Sequence, residues 1–251
     1  MRLKNKVVIV TGAGSGIGVG IATRFAEEGA QVVVNDINAK GGEATVATIK
    51  AAGGSAVFQL ADVTTDAGWK ALVGAAQTHF GGLDCVVNNA GWTHVNRPFV
   101  EVGEADFDRC FSVNVKSVYL AALNALPVFR AQGKQRGGSM VNIASTAGIR
   151  PRPGLTVYNA SKGAVVLMSK SMAAEFAPDS VRVNCVNPVF NPDTALSQAF
   201  AGGEIGEARR NLNSRRCTCA CARKAMRTGR ASSRVCPASS PTHCPTAGAS
   251  G

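Results

Sequence analysis

The stretch KVVIVTGAGSGIG, residues 6–18, sets the architecture of the chain. Its run of Val and Ile has no polar face, as expected of a strand buried on both sides. The run stops in a turn holding Thr11, Gly12, Gly14, Gly16 and Gly18, and helical spacing takes over across 17–29. Glycines let backbone approach a pyrophosphate closely, and the first turn of a helix offers unpaired N–H groups and the positive end of its dipole. A glycine-rich turn alone is weak evidence. Here a strand precedes it, a helix follows it, and the next apolar run, AQVVVND (30–36), ends in an acid, Asp36. A carboxylate at that place accepts hydrogen bonds from both hydroxyls of a ribose and repels a 2′-phosphate, which favours NAD over NADP.

The alternation continues along the chain. SAVFQLADV (55–63), LDCVVNNAG (83–91), GSMVNIAS (138–145) and VRVNCVNP (181–188) read as further strands. Helical patterns fill 39–52, 66–80, a long stretch 104–131, and the segment carrying Tyr158. Apolar strands alternating with helices predict an α/β, doubly wound parallel sheet of Rossmann type, with ligands at the carboxyl ends of the strands. The length of 251 residues suits one such domain, and 45% apolar residues supply its core. No apolar run approaches the roughly 18 residues of a membrane span. The N-terminus reads as a strand and not as a signal peptide. A cytoplasmic protein with no membrane partner is expected.

The formal charge of +11 suggests nucleic acid until it is mapped. Residues 209–251 hold nine Lys/Arg and no acid, so the preceding part is near neutral at +2. The cysteines divide likewise: Cys85, Cys110 and Cys185 precede five that lie between Cys217 and Cys244. Two kinds of sequence are therefore joined: a dinucleotide-binding and catalytic domain, 1–206, and a basic, Cys-rich tail, 207–251. The domain gives no sign of specific nucleic-acid binding.

In YNASKGAVV (158–166), a phenol and an ammonium stand four residues apart in a helical run, and such residues are neighbours on a helix. A buried Lys162 cation favours the phenolate of Tyr158 and is expected to bring its pKa down toward working pH. That makes Tyr158 a candidate general acid/base. Taken alone, the pair equally describes an amphipathic helix with a surface lysine.

These motifs together resemble the short-chain dehydrogenase/reductase family. Thr11, Gly12, Gly16 and Gly18 match its glycine motif, Asp62 and Val63 its pair after the third strand, and Asn88–Gly91 its Asn-Asn-Ala-Gly. Asn114, Ser145, Tyr158 and Lys162 match its catalytic tetrad. The resemblance runs from about residue 4 to 188, and is nearest to bacterial ketoacyl-carrier-protein reductases and alcohol or sugar dehydrogenases. It implies NAD(P)-dependent interconversion of a small secondary alcohol and a ketone. Tyr158 would move the proton, and Lys162 would tune it and hold the nicotinamide ribose. Ser145 would bind the substrate oxygen, and Asn114 would hold a water of a proton relay. Thr11, Gly12, Ser15, Gly16, Ile17, Gly18, Asp36, Asp62, Val63, Asn88, Ala90, Gly91 and Pro188 would bind the cofactor together with Tyr158 and Lys162. The family also implies a homotetramer. His94, after the Asn-Asn-Ala-Gly loop, is a candidate to face substrate, although His79 and His94 read more simply as surface or pocket-lining residues. Met168 and Met172 read as packing.

Two departures qualify the resemblance. The sixth strand leads into NPVFNPDT, with Val189 where the family has glycine and Thr194 one residue late. After about residue 206 the chain has no aromatic residue and no apolar periodicity, so the tail is expected to be disordered. A frameshift is the favoured origin. The alternatives are a metal-binding tail using Cys217, Cys219, Cys221, Cys236, His243 and Cys244, and an arginine-rich arm for polyanions. Loss of the C-terminal elements leaves a second functional reading open: a nucleotide-binding protein without turnover.

Overall fold

The computed structural model describes residues 1–189 and 195–202. Six strands form one sheet: β1 (Val7–Val10), β2 (Gln31–Asp36), β3 (Ser55–Leu60), β4 (Cys85–Asn88), β5 (Gly138–Ile143) and β6 (Val181–Val186). Their order is β3-β2-β1-β4-β5-β6, and every pairing is parallel. Val8 lies opposite Val32 on one side and Cys85 on the other. The strand order reverses between β1 and β4, which opens a crevice at their carboxyl ends.

The apolar β1 is explained by its two faces. Val7 and Ile9 join a cluster with Trp69 and Leu72 of α3 (Asp66–Phe80) and Ala121 and Phe129 of α5 (Ser117–Ala131). Val8 and Val10 point the other way, to Ala22 and Ala26 of α1 (Gly16–Glu27) and Val46 and Ile49 of α2 (Ala39–Ala51). Side chains alternate along a strand, so a layer on each face demands an apolar residue at every position. β6 differs: Val181 and Val183 are buried, while Arg182, Asn184 and Val186 on its other face are exposed.

Local chemistry fixes the helix boundaries. Asn38 caps α2 by accepting the Gly41 N–H at 3.2 Å, and Thr65 caps α3 by accepting the Gly68 N–H at 3.1 Å. Gly81 ends α3 in the left-handed region at φ 73°. The expected helix over 104–131 is interrupted: α4 (Glu104–Phe111) passes through a π-turn, Ser112–Lys116, before α5. Such one-turn bulges mark functional sites, and this one carries Asn114. The helix with Tyr158 is α6 (Thr156–Phe176), and α7 (Ala195–Ala201) lies beyond β6. Met172 is buried in the first cluster and Met168 packs against it, as expected.

At the amino ends of the strands, Asp84 ties three segments together. Its oxygens accept from Arg136 Nε at 3.1 Å and Nη2 at 2.9 Å, from the Val7 N–H at 2.9 Å and from Lys6 Nζ at 3.2 Å. Burial works to raise its pKa, but these donors together outweigh it and hold the carboxyl below its ordinary value. No helix among the described residues is long and apolar enough to cross a membrane. The readings given for Thr194, for the 206/207 boundary and for the tail fall outside the described residues.

Candidate active site

The carboxyl ends of the strands open into a cavity of about 340 Å³, running from Gly12, Ser15, Gly16 and Ile17 to Leu196 and Phe200 of α7. Bare backbone makes its floor. Gly12 sits at φ 62°, and a methyl group there would lie 2.8 Å from the Ala90 Cα. One on Gly18 would collide with the Gly12 carbonyl oxygen. Only hydrogen at both positions keeps this cradle open at the start of α1, a shape and polarity that fit a pyrophosphate.

Beside the cradle stand two fixed carboxylates. Asp36 accepts the Gly14 N–H through Oδ2 at 2.8 Å and the Asn38 N–H through Oδ1 at 2.9 Å. Asp62 Oδ1 accepts both the N–H and the hydroxyl of Thr64 at 2.8 Å. The indole of Trp69 donates to the Val63 carbonyl at 3.0 Å and pins that loop to α3. Asp36, Asp62 and Val63 all line the cavity.

Three expected cofactor residues stand behind the wall. Thr11 is 1% exposed; its hydroxyl accepts the N–H groups of Asn89 at 3.0 Å and Ala90 at 3.1 Å and donates to the Val87 carbonyl at 3.3 Å. It sews the β1 and β4 turns together. Asn88 turns into the sheet interior, where its amide donates to Asn142 Oδ1 at 2.8 Å. Of Asn88–Gly91, only Asn89, Ala90 and Gly91 line the cavity, and Asn89 Nδ2 donates to the Thr11 and Gly12 carbonyls at 2.9 and 3.0 Å. Gly18 serves by what it lacks. A two-residue strand period explains Asn88: one step separates the inward from the outward side chain.

On the opposite wall, Ser145 follows β5, and Tyr158 and Lys162 face it from α6. Lys162 is buried and donates to the Ile143 carbonyl at 2.9 Å, with Nζ 5.9 Å from the centre of the Tyr158 ring. Burial brings its pKa down to about 8. Tyr158 overturns the expected depression. Burial pushes its pKa up to about 12, against weaker lowering by contact with Ser145 and by Arg152. The pair does share a helix face, but Lys162 donates to a carbonyl, and burial is the largest influence on the phenol, so desolvation wins.

Asn114 does not line the cavity. Its Oδ1 accepts the Trp92 N–H at 2.8 Å, and its Nδ2 donates to the Trp92 carbonyl and to Ser161 Oγ, both at 2.9 Å. Both amide protons are taken, so the side chain bolts the loop after β4 to α6 and leaves no amide proton for a relay water. It stays close to the chemistry: a methyl group on Gly91 would lie 3.4 Å from both Asn114 Oδ1 and Lys162 Nζ. His94 is 1% exposed, with Nδ1 on the Val95 carbonyl at 2.8 Å, and does not reach the cavity.

Pro188 and Val189 line the cavity, and the Pro188 carbonyl accepts the Thr146 N–H at 3.1 Å. The motifs did not announce Trp92, Arg109, Leu196 and Phe200. Phe200 packs edge-on to Tyr158 with centroids 4.9 Å apart, and Arg109 lies 4.9 Å from the Trp92 ring centre. Trp92 had a signal in its place directly after Asn-Asn-Ala-Gly. Arg109 had none, being one charge among several on its helix.

The architecture is that of a Rossmann-type nucleotide-binding protein whose crevice also holds ionisable groups suited to proton transfer. Residues 6–202 match the family described as short chain dehydrogenase. The chain belongs to that family and is an oxidoreductase acting on CH–OH groups; the family uses NAD or NADP. It is 47% identical over 210 residues to 4-formylbenzenesulfonate dehydrogenase TsaC1/TsaC2 of Comamonas testosteroni, covering 84% of this chain and 82% of that protein. It is 41% identical over 187 residues to 2,5-dichloro-2,5-cyclohexadiene-1,4-diol dehydrogenase LinX of Sphingobium indicum, covering 74% and 73%. Among solved structures, 3-ketoacyl-(acyl-carrier-protein) reductase of Brucella melitensis complexed with NADH superposes with a TM-score of 0.75 at 42% identity, covering 79% of this chain and 80% of that one.

Proposed function

We propose that this chain is an NAD-dependent dehydrogenase that interconverts a small alcohol and its carbonyl compound, with Tyr158 as general acid/base. The observation that carries the reading is the placement of Ser145, Tyr158 and Lys162 on the wall of the same cavity whose floor is the Gly12 cradle. A bound dinucleotide supplies the hydride acceptor. Ser145 then fixes the substrate oxygen beside Tyr158, and the phenolic oxygen takes the hydroxyl proton during oxidation or returns it during reduction. Lys162 holds the nicotinamide ribose. A phenol near 12 is a poor base at neutral pH, so positive charge brought by the oxidised cofactor must complete its activation. Asn114 positions the loop bearing Gly91 and Trp92.

Asp36 supports NAD over NADP, because its fixed carboxylate would meet a 2′-phosphate as a like charge. Tyr119 and Leu123 of α5 and Leu167 of α6, large side chains exposed in the single chain, support association through these helices, read here as a homotetramer. NADH fluorescence enhancement on titration tests the cofactor half, and absorbance at the reduced-nicotinamide band with a panel of alcohols tests turnover. Binding without turnover across the panel would favour the nucleotide-binding reading.

A further inference from the structure

Resting on that dehydrogenase reading, we propose that the substrate is an aromatic alcohol, or its aldehyde or ketone, bearing an anionic carboxylate or sulfonate that Arg109 grips from its stack on Trp92.

The cavity separates charge along its length. Its lining acids among the described residues are Asp36 and Asp62, at the β2 and β3 side. Its lining cations are Arg109, Arg152 and Lys162, at the β4 to β6 side. Lys162 donates one proton to the Ile143 carbonyl and is left to the nicotinamide ribose. On that reading the dinucleotide phosphates lie at the Gly12 cradle and the start of α1. Arg109 stands on α4, which packs against α6 and whose Cys110 clusters with Tyr158, so it belongs to the substrate end and not to the phosphates.

Arg109 is also prepared for an anion. Its Cζ lies 4.9 Å from the Trp92 ring centre, a cation–π contact, and a guanidinium held on an aromatic face still has N–H donors for an oxyanion. Asp106, the acid one turn before it on α4, pairs instead with Arg97 at 3.5 Å. Arg152 adds positive potential across the cavity, felt by Tyr158 as a lowering of its pKa. Between the cations and Ser145, the walls are Trp92, Leu155, Tyr158, Leu196 and Phe200. A flat ring fits such a slot, with its carbinol carbon toward Tyr158 and its anion toward Arg109. In the oxidative direction the alcohol loses a hydride to the oxidised nicotinamide and its hydroxyl proton through Tyr158, and leaves as the carbonyl compound.

The test uses the full chain with NAD⁺ and four benzylic alcohols: 4-(1-hydroxyethyl)benzoate and 4-(hydroxymethyl)benzenesulfonate, each against its neutral primary amide. The anions are expected to be preferred in kcat/KM by about tenfold or more. Arg109→Met should cut that preference by about ten- to hundredfold, mainly through KM, because the anion is held equally before and at the transition state. Arg109→Lys should recover part of it, and rising salt should weaken it. A wild-type ratio near one, or a ratio unchanged in Arg109→Met, overturns the proposal while leaving the dehydrogenase reading intact. If none of the four alcohols turns over, the dehydrogenase reading suffers first, and quenching of Trp92 by benzoate against benzamide still decides the anion site. Saturable quenching by benzoate that is lost in Arg109→Met supports it, and equal quenching by both compounds overturns it.

Discussion

Replacing Tyr158 with phenylalanine removes one oxygen from the centre of the cavity and little else. Tyr158 is 3% exposed, and burial lifts its pKa from 10.0 to about 12. Two pKa units correspond to about 3 kcal/mol against the phenolate. At pH 8 the protein's own groups would then leave about one phenol in ten thousand ionised, a hundredfold fewer than for free tyrosine. If Tyr158 is the proton acceptor, the cofactor and substrate must recover that energy in the ternary complex. Tyr158→Phe is therefore expected to lower kcat/KM for alcohol oxidation by about a thousandfold or more, with NADH affinity, read by fluorescence, within about threefold. The wild-type profile of kcat/KM should rise with pH and level off below pH 10, well short of 12. Spectrophotometric titration locates the phenol directly, since the chain has only two tyrosines and the variant leaves Tyr119 as the reference. Retention of a tenth of wild-type kcat/KM in Tyr158→Phe would refute the proton-transfer role. A profile that keeps climbing past pH 11 would instead show that the bound cofactor does not lower the pKa of the phenol.

Other expectations rest on separate observations. Asp84→Ala leaves Arg136 and the Val7 N–H without their shared acceptor and is expected to cost about 3 kcal/mol, a fall in Tm of roughly 6–12 °C by calorimetry. Because that carboxyl titrates below its ordinary value, its stabilisation is complete above the usual carboxylate range and is lost as pH falls through the depressed value. Acid titration of wild type should therefore converge on the variant, and a constant gap down to low pH would contradict it. Asp36→Ala should lower the NAD⁺ over NADP⁺ ratio of kcat/KM by about ten- to hundredfold, and an unchanged ratio would remove Asp36 from cofactor choice. Gly12→Ala should weaken NADH binding by about tenfold or more, since its φ of 62° and the Ala90 Cα leave no room for a methyl group. Wild-type affinity in a folded variant would show that the cradle is not where the dinucleotide sits.

Much was legible in the chain itself. Every residue of β1 must be apolar because helices cover both faces of the sheet, so KVVIV announced a parallel sheet before any coordinates. The glycine turn and Asp36 belong to one local strand–turn–helix–strand unit, and local units are what spacing encodes. Helical spacing likewise placed Tyr158 and Lys162 on one face, where they are found. What only the tertiary structure decided is where polar groups spend their hydrogen bonds and how dry they become. Thr11, Asn88 and Asn114 look like ligand residues in a motif, yet the fold turns each into a fastener between segments as much as 79 positions apart. The phenol of Tyr158 rises in pKa where proximity to Lys162 suggested a fall, because desolvation depends on all the elements that close over a side chain. Arg109 meets Trp92 only because α4, with the π-turn that follows it, and the loop after β4 are packed together. A one-dimensional string records neighbours along the helix and strand; dielectric surroundings and contacts between remote segments exist only once the chain is folded.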